Sequence, residues 1–293
     1  MIVSMFNFWY FFFIILCAGV TTGLYFLLRN KSDKVKKIVI FSIMLSALVL
    51  HFVKLALPPY SLPENEAMRL RDSWFINICG ANIFLFPFLF FSKNKFVKDY
   101  IFYLGMLGGG LAFLYPTEAI ELVNRAYYTV DVIRFYAHHM MIFVAPLLMV
   151  ITGLHKLSYK RVFSAPIGLL LIMLFIMLNQ ILQSELGFID LRSNDFFAIG
   201  YRNNSFIWGP GNDSLAQIFV IFCPKIFRVV PVGQYAGQEK FWPWFWMIVP
   251  VFVYVTPLAF LLCMIFDHKA FVSDVKSLCK KIKYYFSKTK NNE

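Results

Sequence analysis

The side chains able to carry covalent or acid–base chemistry gather at a few points inside otherwise apolar runs. Cys79 lies between Asn77 and Asn82, His138 and His139 are adjacent and follow Arg134, Lys54 comes one turn after His51, and Asn179, Gln180 and Gln183 close another apolar run. A cysteine beside an imidazole can form a thiolate that attacks an acyl carbonyl, and the resulting thioester is itself readily attacked. Cys79 is the cysteine with polar neighbours at this depth. Cys17 and Cys263 read as small core hydrophobes, Cys223 falls in a long connecting segment, and Cys279 lies in a basic tail. Successive residues on a helix point about 100° apart, so the two adjacent histidines cannot occupy one place in a site. His138 shares a face with Arg134, His139 with Phe135 and Ile142. Either can be the base, and the other is left to pack or hydrogen-bond between helices.

Around that pair, Asn82, Asn179 and Gln180 can donate to an oxyanion or tie helices together. Lys54 can meet a headgroup phosphate or snorkel to the interface. Imidazole and thiolate also suit zinc, but the sequence has neither an i, i+4 histidine pair nor HExxH. Neither a metal nor a cofactor is expected.

The elements that must position these residues are membrane helices. The chain is 59% apolar, 19% aromatic and only 15% charged, with a mean hydropathy of +0.65, which excludes an ordinary soluble globular domain. Spans of about 20 apolar residues are predicted at 6–28, 38–57, 74–91, 100–115, 133–153, 166–183 and 241–266. The fourth is short and carries Gly108-Gly109-Gly110, a run that permits close helix contact or a break. The expected fold is therefore all-α: a polytopic integral membrane bundle of about seven transmembrane helices. Residues 1–266 form the membrane domain, with a long outer segment at 184–240, and residues 267–293 form a basic tail.

The +12 net charge comes from short Lys and Arg clusters between hydrophobic runs, which read as topology signals rather than as a nucleic-acid surface. The clusters at 29–37, 93–98, 156–161 and 269–290 outweigh those in the alternate short connections. The positive-inside rule then puts the N-terminus outside and the C-terminus in the cytoplasm, as expected of a multi-pass protein of the cell membrane. In the tail, Phe271, Val275, Leu278 and Tyr285 alternate with lysines, a pattern suited to anionic lipid headgroups. The Trp242-Pro243-Trp244 cluster reads as an interfacial aromatic belt, and the Arg69 and Arg71 region as a solvated loop. Five cysteines without a CxxC pair do not make a disulfide framework.

With this orientation, His51 and Lys54, the start of the third span, the start of the fifth and the end of the sixth share one layer near the outer boundary. Below them the spans are almost wholly apolar. The order of these features resembles the transmembrane protein 164 type of membrane acyltransferases and their small bacterial YwaF-type relatives. The resemblance rests on Ile76-Asn77-Ile78-Cys79-Gly80, Leu114-Tyr115-Pro116, Arg134-Phe135-Tyr136-Ala137-His138-His139, Leu178-Asn179-Gln180 and the Trp-Pro-Trp ahead of the last span. It implies cysteine–histidine acyl transfer between phospholipids and lysophospholipids, with Cys79 as nucleophile and His138 or His139 as base. The rival from another class is a transporter or lipid- or solute-binding protein that uses the same polar layer without chemistry.

Overall fold

The computed structural model describes residues 1–116, 129–187, 204–211, 214–230 and 236–290. Among them the regular structure is helical: α1 Phe8–Leu28, α2 Asp33–Val53, α3 Glu66–Asp72, α4 Ile78–Leu89, α5 Lys95–Leu114, α6 Thr129–Ile151, α7 Ser164–Glu185, α8 Ser214–Val220 and α9 Ile248–Lys290. Six of the described helices are long and apolar enough to cross a membrane. The prediction of about seven spans changes at the third, where α4 has only twelve residues. The run from 74 to 77 is not helical because Asn77 is the N-cap, its side chain accepting from the Gly80 amide at 2.7 Å. A cap of this kind satisfies one of the amides that the first helical turn leaves open.

At the other end, the predicted boundary between span and tail at 266 falls inside one helix. Its 43 residues reach about 65 Å at 1.5 Å per residue, well past the hydrocarbon core. The first turns of the tail are docked: Asp267 accepts from the Tyr159 amide at 3.0 Å, and Asp274 accepts from the Tyr159 hydroxyl at 2.6 Å and pairs with Lys160 at 2.5 Å. Parts of the outer segment, 188–203, 212–213 and 231–235, and the connection 117–128 lie outside the described residues, and so do the predictions that fall on them.

Helix α6 is the hub, packed against α1, α2, α4 and α5, while α7 packs on α4, α5 and α9. Tyr136 of α6 stacks on Phe13 of α1 with ring centroids 3.9 Å apart. The glycine run makes a close contact at Gly109, and Gly105, one turn earlier, makes a second. A π-helical segment at Gly105–Gly109 widens α5, and Gly105 and Gly109 press against α6. A Cβ on Gly105 would lie 2.6 Å from Pro146 Cγ and 2.7 Å from the Ile142 carbonyl oxygen, whereas one on Gly110 would meet only Phe143 ring carbons at 3.7 Å. Alanine normally favours a helix by about 1 kcal/mol over glycine, but a backbone oxygen cannot swing aside. Gly105→Ala is therefore expected to destabilise the bundle by about 1–3 kcal/mol, with Gly110→Ala neutral or stabilising. Thermal unfolding in detergent measures both, and equal melting of the two variants would refute the close-contact account.

Candidate functional site

The chemistry-bearing residues of α2, α4 and α6 meet at one end of the bundle. Cys79 is the second residue of α4, a helix start held from two sides: Asn77 caps the Gly80 amide, and Ser205 Oγ accepts from the Ile78 amide at 3.2 Å. Ser205 and Phe206 take left-handed backbone conformations, φ 65° and 59°. Residues this disfavoured persist where their surroundings over-determine them. Two tryptophans fasten the segment: Trp246 Nε1 donates to the Phe206 carbonyl at 2.9 Å, and the Trp244 amide to that of Ile207 at 2.8 Å. Trp246 is fully buried, whereas Trp242 and Trp244 of the Trp-Pro-Trp are half-buried.

A cavity of about 50 Å³ is lined by Cys79, His138, His139, His51, Lys54 and Arg134, with Asn77 and Gly80 at the cap. Depth read from sequence thus translates into adjacency for these residues. The cavity also takes Tyr60 and Asp72, which hydropathy counting left in the connection between the second and third spans, and Trp74, the first residue of the predicted third span. Tyr60 is 1% exposed, with the Lys54 ammonium 5.0 Å and the Arg134 guanidinium 5.7 Å from its ring centroid. No signal in the connection marks Tyr60, because Arg134 reaches it from α6. Gly108 faces the thiol, its Cβ position 3.7 Å from Cys79 Sγ, so the widened turn of α5 packs beside Cys79.

Hydrogen bonds differentiate the three histidines. Nδ1 of His139 lies 2.8 Å from the Phe135 carbonyl oxygen. A carbonyl only accepts, so Nδ1 carries the proton and Nε2 presents a lone pair. Nδ1 of His138 lies 3.3 Å from Nη1 of Arg134. A guanidinium only donates, so this Nδ1 accepts and the neutral ring carries its proton on Nε2, an atom with no hydrogen-bond partner among the described residues. Arg134 is fixed by Asp131, whose Oδ1 lies 2.7 Å from Nε and 2.6 Å from Nη2. His51 donates from Nε2 to the Ser73 carbonyl at 3.3 Å and stacks on Phe75, tying α2 to the stretch ahead of α4. The cavity therefore offers a thiol, an imidazole acceptor and an imidazole donor in one place.

Asn82, Asn179 and Gln180 do not line this cavity. Asn82 is fully buried on α4 and accepts from the Tyr100 hydroxyl at 2.6 Å. Gln180 is also fully buried, and neither of its amide atoms has a partner among the described residues. Among the other cysteines, Cys17 and Cys263 are buried and Cys279 is exposed. Burial pushes the Cys223 thiol up to about 11, so it is protonated near neutral pH. All five are free thiols. Among the described residues, no three His, Cys, Asp or Glu side chains are disposed to hold a metal ion.

A family model matches residues 2–208, well over half of the chain. The chain belongs to the TMEM164 family. The match contains α1 to α7 and every lining residue of the cavity, and ends at Trp208, ahead of the Trp-Pro-Trp and α9. No curated protein and no solved structure matches this TMEM164-family chain. With its apolar helices, the family assignment makes it a multi-pass membrane protein.

Proposed function

We propose that this TMEM164-family protein moves fatty acyl groups between phospholipids and lysophospholipids through a thioester on Cys79. The observation that carries the reading is the shared cavity, in which the thiol at a helix start meets one histidine presenting a lone pair and another presenting an N–H. The partial positive charge of a helix N-terminus favours an anion there. In the first half-reaction His139 Nε2 takes the Cys79 thiol proton and the sulfur attacks the ester carbonyl carbon. The carbonyl π pair moves onto oxygen, where the Nε2–H of His138 can donate to it. When that pair returns, the C–O bond breaks, and the departing lysophospholipid oxygen takes the proton held on His139. In the second half-reaction a lysophospholipid hydroxyl gives its proton to His139 and attacks the thioester carbon. The thiolate leaves and recovers the proton, so the protein is unchanged after each cycle.

Charge supports placing the site at the outer face of the cell membrane. The opposite end carries Lys36, Lys93, Lys95, Lys98, Lys156, Lys160 and Arg161, the bias expected of a cytoplasmic side.

The deciding experiment is intact-protein mass spectrometry after incubation of the purified protein with a defined phospholipid. An added acyl mass that hydroxylamine removes, present in wild type and absent from Cys79→Ser, is the expected result. Absence of both the adduct and released lysophospholipid would instead favour a binding or transport role for the cavity.

A further inference from the structure

A second cavity, about 570 Å³, lies at the opposite end of the bundle. The two ends are separated by the length of α6, whose 23 residues span about 34 Å. Its walls come from the turn between α4 and α5, the start of α5, the connection 153–161 and the middle of α9. It is lined by Lys93, Lys95, Lys98, Lys156, Lys160 and Arg161.

The acids on hand are already engaged. Asp99, fully buried, accepts from Arg161 Nε at 2.5 Å and Nη2 at 3.3 Å and faces His155 Nε2 at 2.6 Å. Asp274 pairs with Lys160, and Asp267 accepts from the Tyr159 amide. Among the described residues Lys93, Lys95, Lys98 and Lys156 form no ion pair. Four ammonium groups around one concavity repel one another, and Asp267, the carboxylate among its lining residues, offsets only part of that charge. The wall itself is ordered. Arg161 Nη2 also donates to the Lys156 carbonyl at 2.9 Å, the His155 amide bonds the Met149 carbonyl, and Leu157 and His155 are buried. The connection that carries two of the lysines and the arginine is thus preorganised, so little ordering entropy opposes an incoming anion.

We propose that this basic cavity binds a phosphomonoester. Clustered lysines supply point charges for phosphate oxygens. The volume exceeds that of a bare phosphate and falls in the range of small-molecule sites, about 300–1,000 Å³. Two sources share the chemistry: the headgroup of an anionic phospholipid in that leaflet, and a soluble phosphorylated molecule. The lysines sit at the ends of membrane helices, where a headgroup phosphate lies within reach. The proposal is independent of the acyl-transfer reading, because no residue is common to the two cavities.

Phosphatidic acid and glycerol 3-phosphate present the same phosphomonoester with and without a membrane anchor. Binding of each to the full-length protein in phosphatidylcholine nanodiscs, followed by native mass spectrometry and thermal shift, separates the sources. Wild type is expected to bind one phosphatidic acid saturably, with at least a tenfold weakening in Lys98→Gln plus Lys156→Gln. Little change is expected in Lys280→Gln plus Lys281→Gln, which remove the same charge from the exposed part of α9. Saturable binding of glycerol 3-phosphate with the same variant pattern supports the site and assigns it a soluble ligand. Equal weakening in both double variants would reduce the effect to general surface charge and overturn the proposal, as would failure of wild type to bind either probe. The glutamine pairs keep the side-chain stems, and wild-type saturation is decisive even if a variant fails to fold.

Discussion

His139→Ala is expected to slow formation of the Cys79 thioester by about 10²–10⁴-fold, the usual contribution of a positioned general base. His138→Ala is expected to slow it by about 10²–10³-fold, as for loss of one oxyanion donor. The two variants differ in kind as well as size. Raising the pH supplies hydroxide to ionise the thiol, so it should recover part of the His139→Ala rate. It cannot replace a donor to the oxyanion, so His138→Ala should gain far less. The assignment follows from what each Nδ1 faces: a backbone carbonyl at His139 and a guanidinium at His138. Arg134→Gln supplies a cross-check. It removes the charged donor that holds the His138 tautomer, so it should reproduce the His138 defect and leave the pH recovery of His139→Ala intact. Stopped-time mass spectrometry of the acyl adduct across pH measures all four proteins. A pH-recoverable loss at His138 with a pH-insensitive loss at His139 would reverse the assignment.

That distinction was beyond the sequence, and the reason is geometric. Periodicity places Arg134 and His138 on one face and Phe135 and His139 on the next, but it does not say which carbonyl or cation each ring nitrogen meets. Depth along the spans was legible, because apolar runs and charge clusters fix where each helix enters the bilayer. It brought Cys79, His51, Lys54 and both histidines to one layer, and they line one cavity. Depth says nothing about azimuth. Asn82, Asn179 and Gln180 share the layer yet lie off the cavity, with Asn82 turned to Tyr100. Tyr60, Asp72 and Trp74 were illegible for the opposite reason. Tyr60 lies in a connection with no helical period, Asp72 ends the short α3 and Trp74 falls in the non-helical stretch ahead of α4, and the path of all three over the helix ends is set by tertiary contacts. The same limit applies to α9: composition changes at 266, but no glycine or proline follows to stop the helix.

Asp99→Ala is expected to cost about 3 kcal/mol of stability, near the lower end of the range for removing one partner of a buried ion pair. The carboxylate is fully buried and its partner Arg161 is 27% exposed, so solvent screens part of the orphaned charge and holds the loss near that lower end. Asp99→Asn keeps the volume and one acceptor, so it should cost less than alanine. The change acts at the far end of the bundle from Cys79, which makes its consequences separable. Asp99 anchors Arg161, and Arg161 anchors the Lys156 carbonyl. Loosening that chain frees the connection 153–161 and raises the entropy an anion must remove to bind. Phosphatidic acid binding should therefore weaken in Asp99→Ala, although the variant makes the cavity more positive by one charge. At temperatures where the protein remains folded, the thioester rate at Cys79 should be unchanged. Simple electrostatics makes the opposite forecast for the anion, tighter binding after loss of a carboxylate. Measuring melting, phosphatidic acid affinity and the acylation rate on one preparation of Asp99→Ala distinguishes the two. Tighter binding at unchanged stability would show that Asp99 acts as a charge and not as the support of the basic wall.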